Sequence, residues 1–150
     1  MKKSETFHII GIDTRTSNQE GKAAQDIPAL WNRFLSQNLM EQVPNKVGAE
    51  IFCIYTEYEG DHNLPYTALL GCKVDNLDNV PEGMRGMTFT TQKLEKFTTK
   101  GNLQQGAVWQ KWLKIWEEQL DRTYSFDFEV YGEKAQNPEA AEVDIYISVN

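Results

Sequence analysis

The stretch Phe126-Asp127-Phe128-Glu129-Val130-Tyr131-Gly132 carries the side chains best suited to chemistry in this chain. Period-two alternation along an extended strand puts Phe126, Phe128 and Val130 on one face and Asp127, Glu129 and Tyr131 on the other. Glu129 is thereby a carboxylate set among aromatic residues. Tyr55, Tyr131 and Tyr146 come from strands expected to lie close together, Phe97 ends another strand, and Trp109 begins a helix. A carboxylate in an aromatic box suits an organic cation. An ion pair at ~4 Å is worth about 4 kcal/mol at an effective dielectric of ~20, and each cation–π contact adds roughly 0.5–2 kcal/mol. Less association costs, the sum reaches the ~8 kcal/mol of a micromolar complex. Neutral analogues would bind weakly. The opposing expectation is a solvated Glu129 on an open sheet face, because glutamate is almost never fully buried without a partner.

Other candidates carry less. His8 lies in a strand and His62 in a turn cluster, neither is paired with a nucleophile, and neither is assigned a role. No spacing of His, Cys and carboxylates suggests a metal site, and no cofactor is implied. Asp75, Asp78 and Glu82 read as a solvated acidic loop without calcium-loop spacing. The glycine-rich phosphate-binding signatures are absent. Cys53 and Cys72 lie in apolar runs and read as small core residues of a reducing, cytoplasmic protein. If their strands are neighbours, a bridge on oxidation stays open.

The elements that must position Glu129 recur in one order. Phe7 to Ile12 reads as a strand, Asp13 to Gly21 as a loop, and Ile27, Leu30, Trp31, Phe34 and Leu35 as one face of a helix with Asp26 as its cap and Pro28 in its first turn. Glu50 to Tyr58 and Pro65 to Val74 read as a hairpin around the turn residues 59–63. A connector from Asp75 to Gly86 follows. Beyond it come a strand from Met87 to Phe97, a loop from Gly101 to Gly106, and a helix from Ala107 to Leu120. A strand from Phe126 to Glu133, a turn at Asn137-Pro138 and a strand from Val143 to Val149 complete the pattern. The second helix carries the stripe Trp109, Trp112, Leu113, Trp116 and Leu120, which reads as core, with Trp109 alone placed for a cleft. The expected fold is α+β: duplicated β-α-β-β modules, about 5–75 and 86–150, related by a pseudo-two-fold axis, with antiparallel sheets and two long helices. Laying Tyr131 over Tyr55 puts Glu129 at the position Cys53 holds in the first half. The seam between modules is the expected pocket.

Composition narrows the partners. With 150 residues, 15 Lys+Arg against 22 Asp+Glu and a net charge of −7, the chain reads as one domain with core enough to fold and no surplus of cations for nucleic acid. The first residues do not read as a signal peptide, and no apolar run reaches membrane-spanning length.

Motifs spread through nearly the whole chain add a resemblance: Ile27-Pro28-x-Leu30-Trp31-x-x-Phe34, Tyr55-Thr56-x-Tyr58 with Asp61 and Tyr66, Gly71 with Val74, Val80-Pro81-x-Gly83, Phe97 with Gly101, Ile115-Trp116, and Asp127-Phe128-Glu129-x-Tyr131. In their order and spacing they resemble the GyrI-like, or AraC-type, effector-binding domain family, and within it the integron-associated effector-binding proteins. The resemblance implies a groove for hydrophobic, often cationic compounds. In multidrug-sensing regulators of the family, a glutamate in the strand after the second helix meets the ligand's positive charge. Glu129 stands at that motif position, with Tyr131 on its side of the strand. Many relatives carry a helix-turn-helix region before this module; here the effector module takes up the residues, which implies a stand-alone binder with no DNA-binding domain. Two other relative types keep alternatives open: a hydrolase of cyclopropane-type electrophilic toxins with Glu129 acting on water, and a gyrase-inhibitor-type module that binds a protein partner.

Overall fold

The computed structural model describes residues 5–60, 64–91, 93–103, 106–118, 120–135 and 138–150. Seven strands form one antiparallel sheet: β1 (Thr6–Thr16), β2 (Ile51–Thr56), β3 (Tyr66–Val74), β4 (Arg85–Thr90), β5 (Lys93–Gly101), β6 (Arg122–Tyr131) and β7 (Ala141–Val149). The helices are α1 (Lys22–Ser36), the short α2 (Leu39–Gln42) and α3 (Ala107–Glu117). Strand order across the sheet is β4-β1-β3-β2-β6-β7-β5. Read outward from the central β2–β6 pair, β3 matches β7 and β1 matches β5, so β1-α1-β2-β3 and β5-α3-β6-β7 repeat one β-α-β-β order, with β4 (Arg85–Thr90) added beside β1 and not opening the second half. In the β2–β6 ladder Cys53 faces Glu129, while Ile51 faces Tyr131 and Tyr55 faces Asp127. Cys53 and Glu129 are therefore both repeat equivalents and direct partners, and the pseudo-two-fold axis runs through that pair.

Several boundaries differ from the sequence reading. β1 continues through Asp13 to Thr16, where a loop was expected, because β3 supplies hydrogen-bond partners along its whole length. The α1 helix begins at Lys22 behind Gly21, whose φ of 70° suits glycine. Asp26 therefore lies inside the helix and does not cap it, and Pro28 sits in the second turn, where it forgoes one helical hydrogen bond. The run Met87 to Phe97 is two strands: β4 adds to the first module beside β1, and β5 forms the far edge of the second. His62, the central residues of its turn, and Asn137 lie outside the described residues.

Alternation gives each face of the sheet its own core. One face holds Ile10, Cys53, Tyr55, Leu70, Ile145 and Ile147, covered by Leu30 and Phe34 of α1 and Trp112 and Ile115 of α3. The other holds Phe7, Ile9, Phe52, Ile54, Leu69, Phe89, Phe126 and Phe128. No helix is needed to close the second core, because the sheet curls around it. Phe89 on β4 meets Phe126 on β6 with ring centroids 5.0 Å apart, although four flat strand steps would separate them by ~19 Å. The chain confirms the curl: Thr90 and Lys93 end strands at opposite edges of the sheet, yet three residue steps span at most ~11 Å. Cys53 and Cys72 are buried and free.

The curl depends on a close approach. Gly11 of β1 and Gly71 of β3 face each other, and a Cβ on Gly11 would lie 2.0 Å from the Leu70 carbonyl oxygen and 2.5 Å from the Gly71 Cα. Both are backbone atoms that cannot swing aside. Gly11→Ala is expected to cost about 2–3 kcal/mol, the upper range of overpacking effects, read as a lower urea midpoint at unchanged slope.

Candidate functional site

A cavity of about 390 Å³ opens between α1 and α3, on the sheet face that the two helices cover. That volume lies within the ~300–1,000 Å³ typical of small-molecule pockets. Ala24, Ile27, Pro28 and Trp31 come from α1, Val108, Trp109, Trp112 and Trp116 from α3, and Tyr55, Tyr66, Glu129 and Tyr131 from the strands beneath. All four tryptophans of the chain line it.

Glu129 sits at its floor, 2% exposed. Its Oε2 accepts hydrogen bonds from the Tyr55 hydroxyl at 2.9 Å and from Trp112 Nε1 at 2.6 Å, and its Oε1 accepts from the Tyr131 hydroxyl at 2.5 Å. A carboxylate offers about four acceptor positions, and three are filled. No cation pairs with it in any ion pair among the described residues. Among the described residues the carboxylate has three hydrogen-bond donors and no counter-ion. Burial pushes the Glu129 carboxyl above its ordinary range, the hydrogen bonds from Tyr131, Trp112 and Tyr55 pulling back against it. The Tyr55 and Tyr131 hydroxyls are themselves held protonated by burial and by nearby acidic groups, Cys53 and Glu129 among them. They remain donors throughout the useful pH range. The Cys53 thiol beneath is raised by burial and then by Glu129, which leaves it a neutral packing group and no nucleophile.

The walls are rings set edge to face. Trp31 meets Tyr131 at 4.7 Å, Tyr55 meets Trp112 at 5.5 Å, and Trp109 meets Trp116 at 5.3 Å. Beside the floor, Asp127 is fully buried. Its Oδ2 takes Arg122 Nη2 at 2.7 Å and the Tyr58 hydroxyl at 2.6 Å, and its Oδ1 takes the Ser148 N–H at 2.9 Å.

Of the residues singled out in the sequence, Glu129, Tyr55, Tyr131 and Trp109 come together at this cavity. Glu129 is neither solvated nor on an open face, contrary to the opposing expectation. Tyr146 does not join them: it stands opposite Phe128 in the β6–β7 ladder and stacks on that ring at 4.8 Å on the other side of the sheet. Phe97 is also absent from the lining. It lies two strands out from β6 and packs into the helix-side core under Lys111, whose Nζ is 5.6 Å from its ring. The tryptophan stripe is not core alone, since Trp112 donates to Glu129 and Trp116 lines the cavity. A buried indole N–H needs an acceptor, and that rule would have linked Trp112 to a carboxylate on the facing strand. Trp31, Tyr58, Tyr66 and Arg122 were also missed.

The family model described as integron-associated effector binding protein matches residues 1–149. YobU of Bacillus subtilis (strain 168), which carries a transcriptional-regulator name, is 28% identical over 143 residues, covering 93% of this chain and 89% of YobU. Among solved structures, the integron cassette protein VCH_CASS2 of Vibrio cholerae superposes with a TM-score of 0.74 at 22% identity, over 99% of this chain and 95% of that one. SAV2435, solved bound to tetraphenylphosphonium, superposes with a TM-score of 0.77 at 18% identity, over 100% of this chain and 94% of that one.

Proposed function

The chain belongs to the integron-associated effector-binding family, and from that premise we propose that it captures amphipathic organic cations in the pocket between α1 and α3, with Glu129 as the charge partner. One observation carries the reading: a buried carboxylate, hydrogen-bonded but unpaired by any cation among the described residues, at the floor of a cavity walled by aromatic rings. Burying a lone charge costs several kcal/mol that hydrogen bonds repay only in part. A lipophilic cation supplies the missing charge, and the rings supply the cation–π and apolar contacts that replace its hydration. The binding of tetraphenylphosphonium by SAV2435, which shares the fold, supports the same ligand class. A protein-interaction module would have its cleft closed and Glu129 salt-bridged, and neither arrangement is present among the described residues.

The test is a titration with tetraphenylphosphonium and with the isosteric pair N-methylquinolinium and methylnaphthalene. Calorimetry gives affinities, and quenching of the lining tryptophans reports occupancy of this cavity. Equal affinity for the charged and neutral isosteres would sink the charge model. Mass spectrometry of the recovered ligand separates capture from turnover: a raised carboxyl pKa is also what a general base needs, and products from an electrophilic ligand would favour the hydrolase.

The pH dependence has a definite sign. Only ionised Glu129 attracts a cation, so affinity is full above its raised pKa and falls about tenfold per pH unit below it. The fall begins at higher pH than an exposed glutamate would give, and at that pH binding releases a proton into the buffer. Stability of the unliganded protein runs the opposite way. The folded state holds this proton more tightly than the unfolded chain does, so Glu129 destabilises the fold above its raised pKa, and that penalty fades as pH falls to the ordinary carboxylate range. Calorimetry in buffers of different ionisation enthalpy measures the released proton. Affinity that stays flat through the mildly acidic range removes Glu129 from the binding step.

A further inference from the structure

We propose that Arg122 forms a second polar subsite of the same pocket, so that the preferred ligands are cations that also carry a hydrogen-bond acceptor oxygen, such as a ketone, ester or amide carbonyl. The inference rests on the cation-binding reading and adds to it the other half of the ligand. Arg122 lines the cavity with Glu129, and its side chain is only 5% exposed. One of its terminal nitrogens, Nη2, is committed to Asp127 at 2.7 Å. Its Nε and Nη1 are buried and have no hydrogen-bond partner among the described residues. Asp127 makes no hydrogen bond to them: its Oδ2 takes Arg122 Nη2 and the Tyr58 hydroxyl, and its Oδ1 takes the Ser148 N–H.

Guanidinium donors left unpaired away from water cost free energy that an acceptor recovers, and a charged donor makes the stronger class of hydrogen bond. The guanidinium is held in place for that purpose. Its carbon lies 4.4 Å from the Tyr124 ring centroid and 6.0 Å from that of Trp112, so the planar fork is fixed by rings as well as by Asp127. Trp112 also donates to Glu129, and therefore stands between the two charges. Asp127 and Glu129 are two residues apart on one strand face, ~7 Å, which puts the guanidinium within about 10 Å of the Glu129 carboxylate. A ligand of drug size spans that distance. Arg122 is not a counter-ion for Glu129, since its charge is balanced by Asp127. It is a directional donor beside a negative floor.

The probes are pentyltriphenylphosphonium and its ketone isostere oxopentyltriphenylphosphonium, equal in charge and nearly equal in shape. Wild-type protein is expected to prefer the ketone by about tenfold, or ~1.4 kcal/mol. In the double variant Arg122→Met with Asp127→Asn, which strands no charge, the ratio of ketone to pentyl affinity falls to about one. Arg122→Lys, which retains a charge beside Asp127 but lacks the Nε and Nη1 hydrogens, serves if the double variant does not fold, and it also narrows the preference. Equal wild-type affinity for both probes, with both still weakened by Glu129→Gln, overturns the Arg122 subsite and leaves the cation pocket standing. A ketone preference that survives both Arg122 variants overturns the assignment to Arg122. No response of either probe to Glu129→Gln overturns the cation reading itself.

Discussion

Glu129→Gln is expected to weaken tetraphenylphosphonium binding by on the order of a hundredfold and to leave the affinity for methylnaphthalene unchanged. An ion pair at ~4 Å and an effective dielectric of ~20 is worth about 4 kcal/mol; part is lost to desolvating the cation, and the remainder converts at 1.4 kcal/mol per decade. The substitution isolates charge from packing. Glutamine keeps an oxygen for Tyr55 and Trp112, which share Glu129 Oε2, and turns its amide toward Tyr131, whose hydroxyl can rotate to accept. The variant should fold about as well as the parent, since a buried charge has been removed and only the Tyr131 O–H, at the cavity wall, loses its acceptor. Glu129→Ala is a different experiment. It leaves three buried donors without an acceptor, at about 1–3 kcal/mol each, and its loss of binding would be confounded with loss of fold. Isothermal titration of the glutamine variant with both ligands gives the answer, and an equal loss for charged and neutral ligands would mean that shape, not charge, had changed.

The second large effect is on stability. Asp127→Ala is expected to lower the unfolding free energy by about 3–5 kcal/mol, the usual result of removing one member of a buried ion pair. At roughly 2–4 °C per kcal/mol for a chain of this size, the melting temperature drops by about 10 °C. Asp127 is fully buried and gathers Arg122, Tyr58 and the Ser148 N–H onto one carboxylate, so its loss strands a guanidinium, a phenol and a backbone donor together. Changing Arg122 to Met and Asp127 to Asn at once should recover much of that loss, because no charge is left alone. Urea unfolding of the single and double variants closes the cycle. A single variant as stable as wild type would show that water reaches Arg122.

These two carboxylates differ in how much of them could be read from sequence. Both alternate onto the face of Tyr131, because within one strand the period is two and local. Their neighbours depend on register between strands, which is not local. Tyr146 was one position from the right face: Ile145 faces Glu129 and Tyr146 faces Phe128, and a slip of one residue across the connection from β6 to β7 exchanges them. Arg122 was hidden for a related reason. Strict alternation sends residues 122 and 127 to opposite faces, but the ladder advances five residues on β6 against two on β7 between them, and Tyr124 takes a φ of 54° within that irregularity. The bulge turns Arg122 back toward Asp127. The duplicated order of elements was legible because each module repeats the same hydrophobic periods. That β4 and β5 are separate strands at opposite edges was not, since nothing in their composition separates them until the sheet curls.

The axis through Cys53 and Glu129 carries one more consequence. Two identical modules related by a true two-fold would place the same residue on both sides of it. A glutamate there would face its own copy at the ~4.5–5.5 Å of a cross-strand pair, and two buried like charges at that range cannot both ionise without a strong penalty. Joining both modules in one chain lifts that restriction, since each copy is free to diverge. Cys53 carries no charge there, its thiol kept protonated by burial and by Glu129, and is the small, neutral neighbour that lets a single Glu129 hold its charge on the axis. The proposed reading gains a stoichiometry from this asymmetry: one chain presents one unpaired carboxylate at the axis and is expected to take one cation, where a symmetric pair would have offered two sites or none.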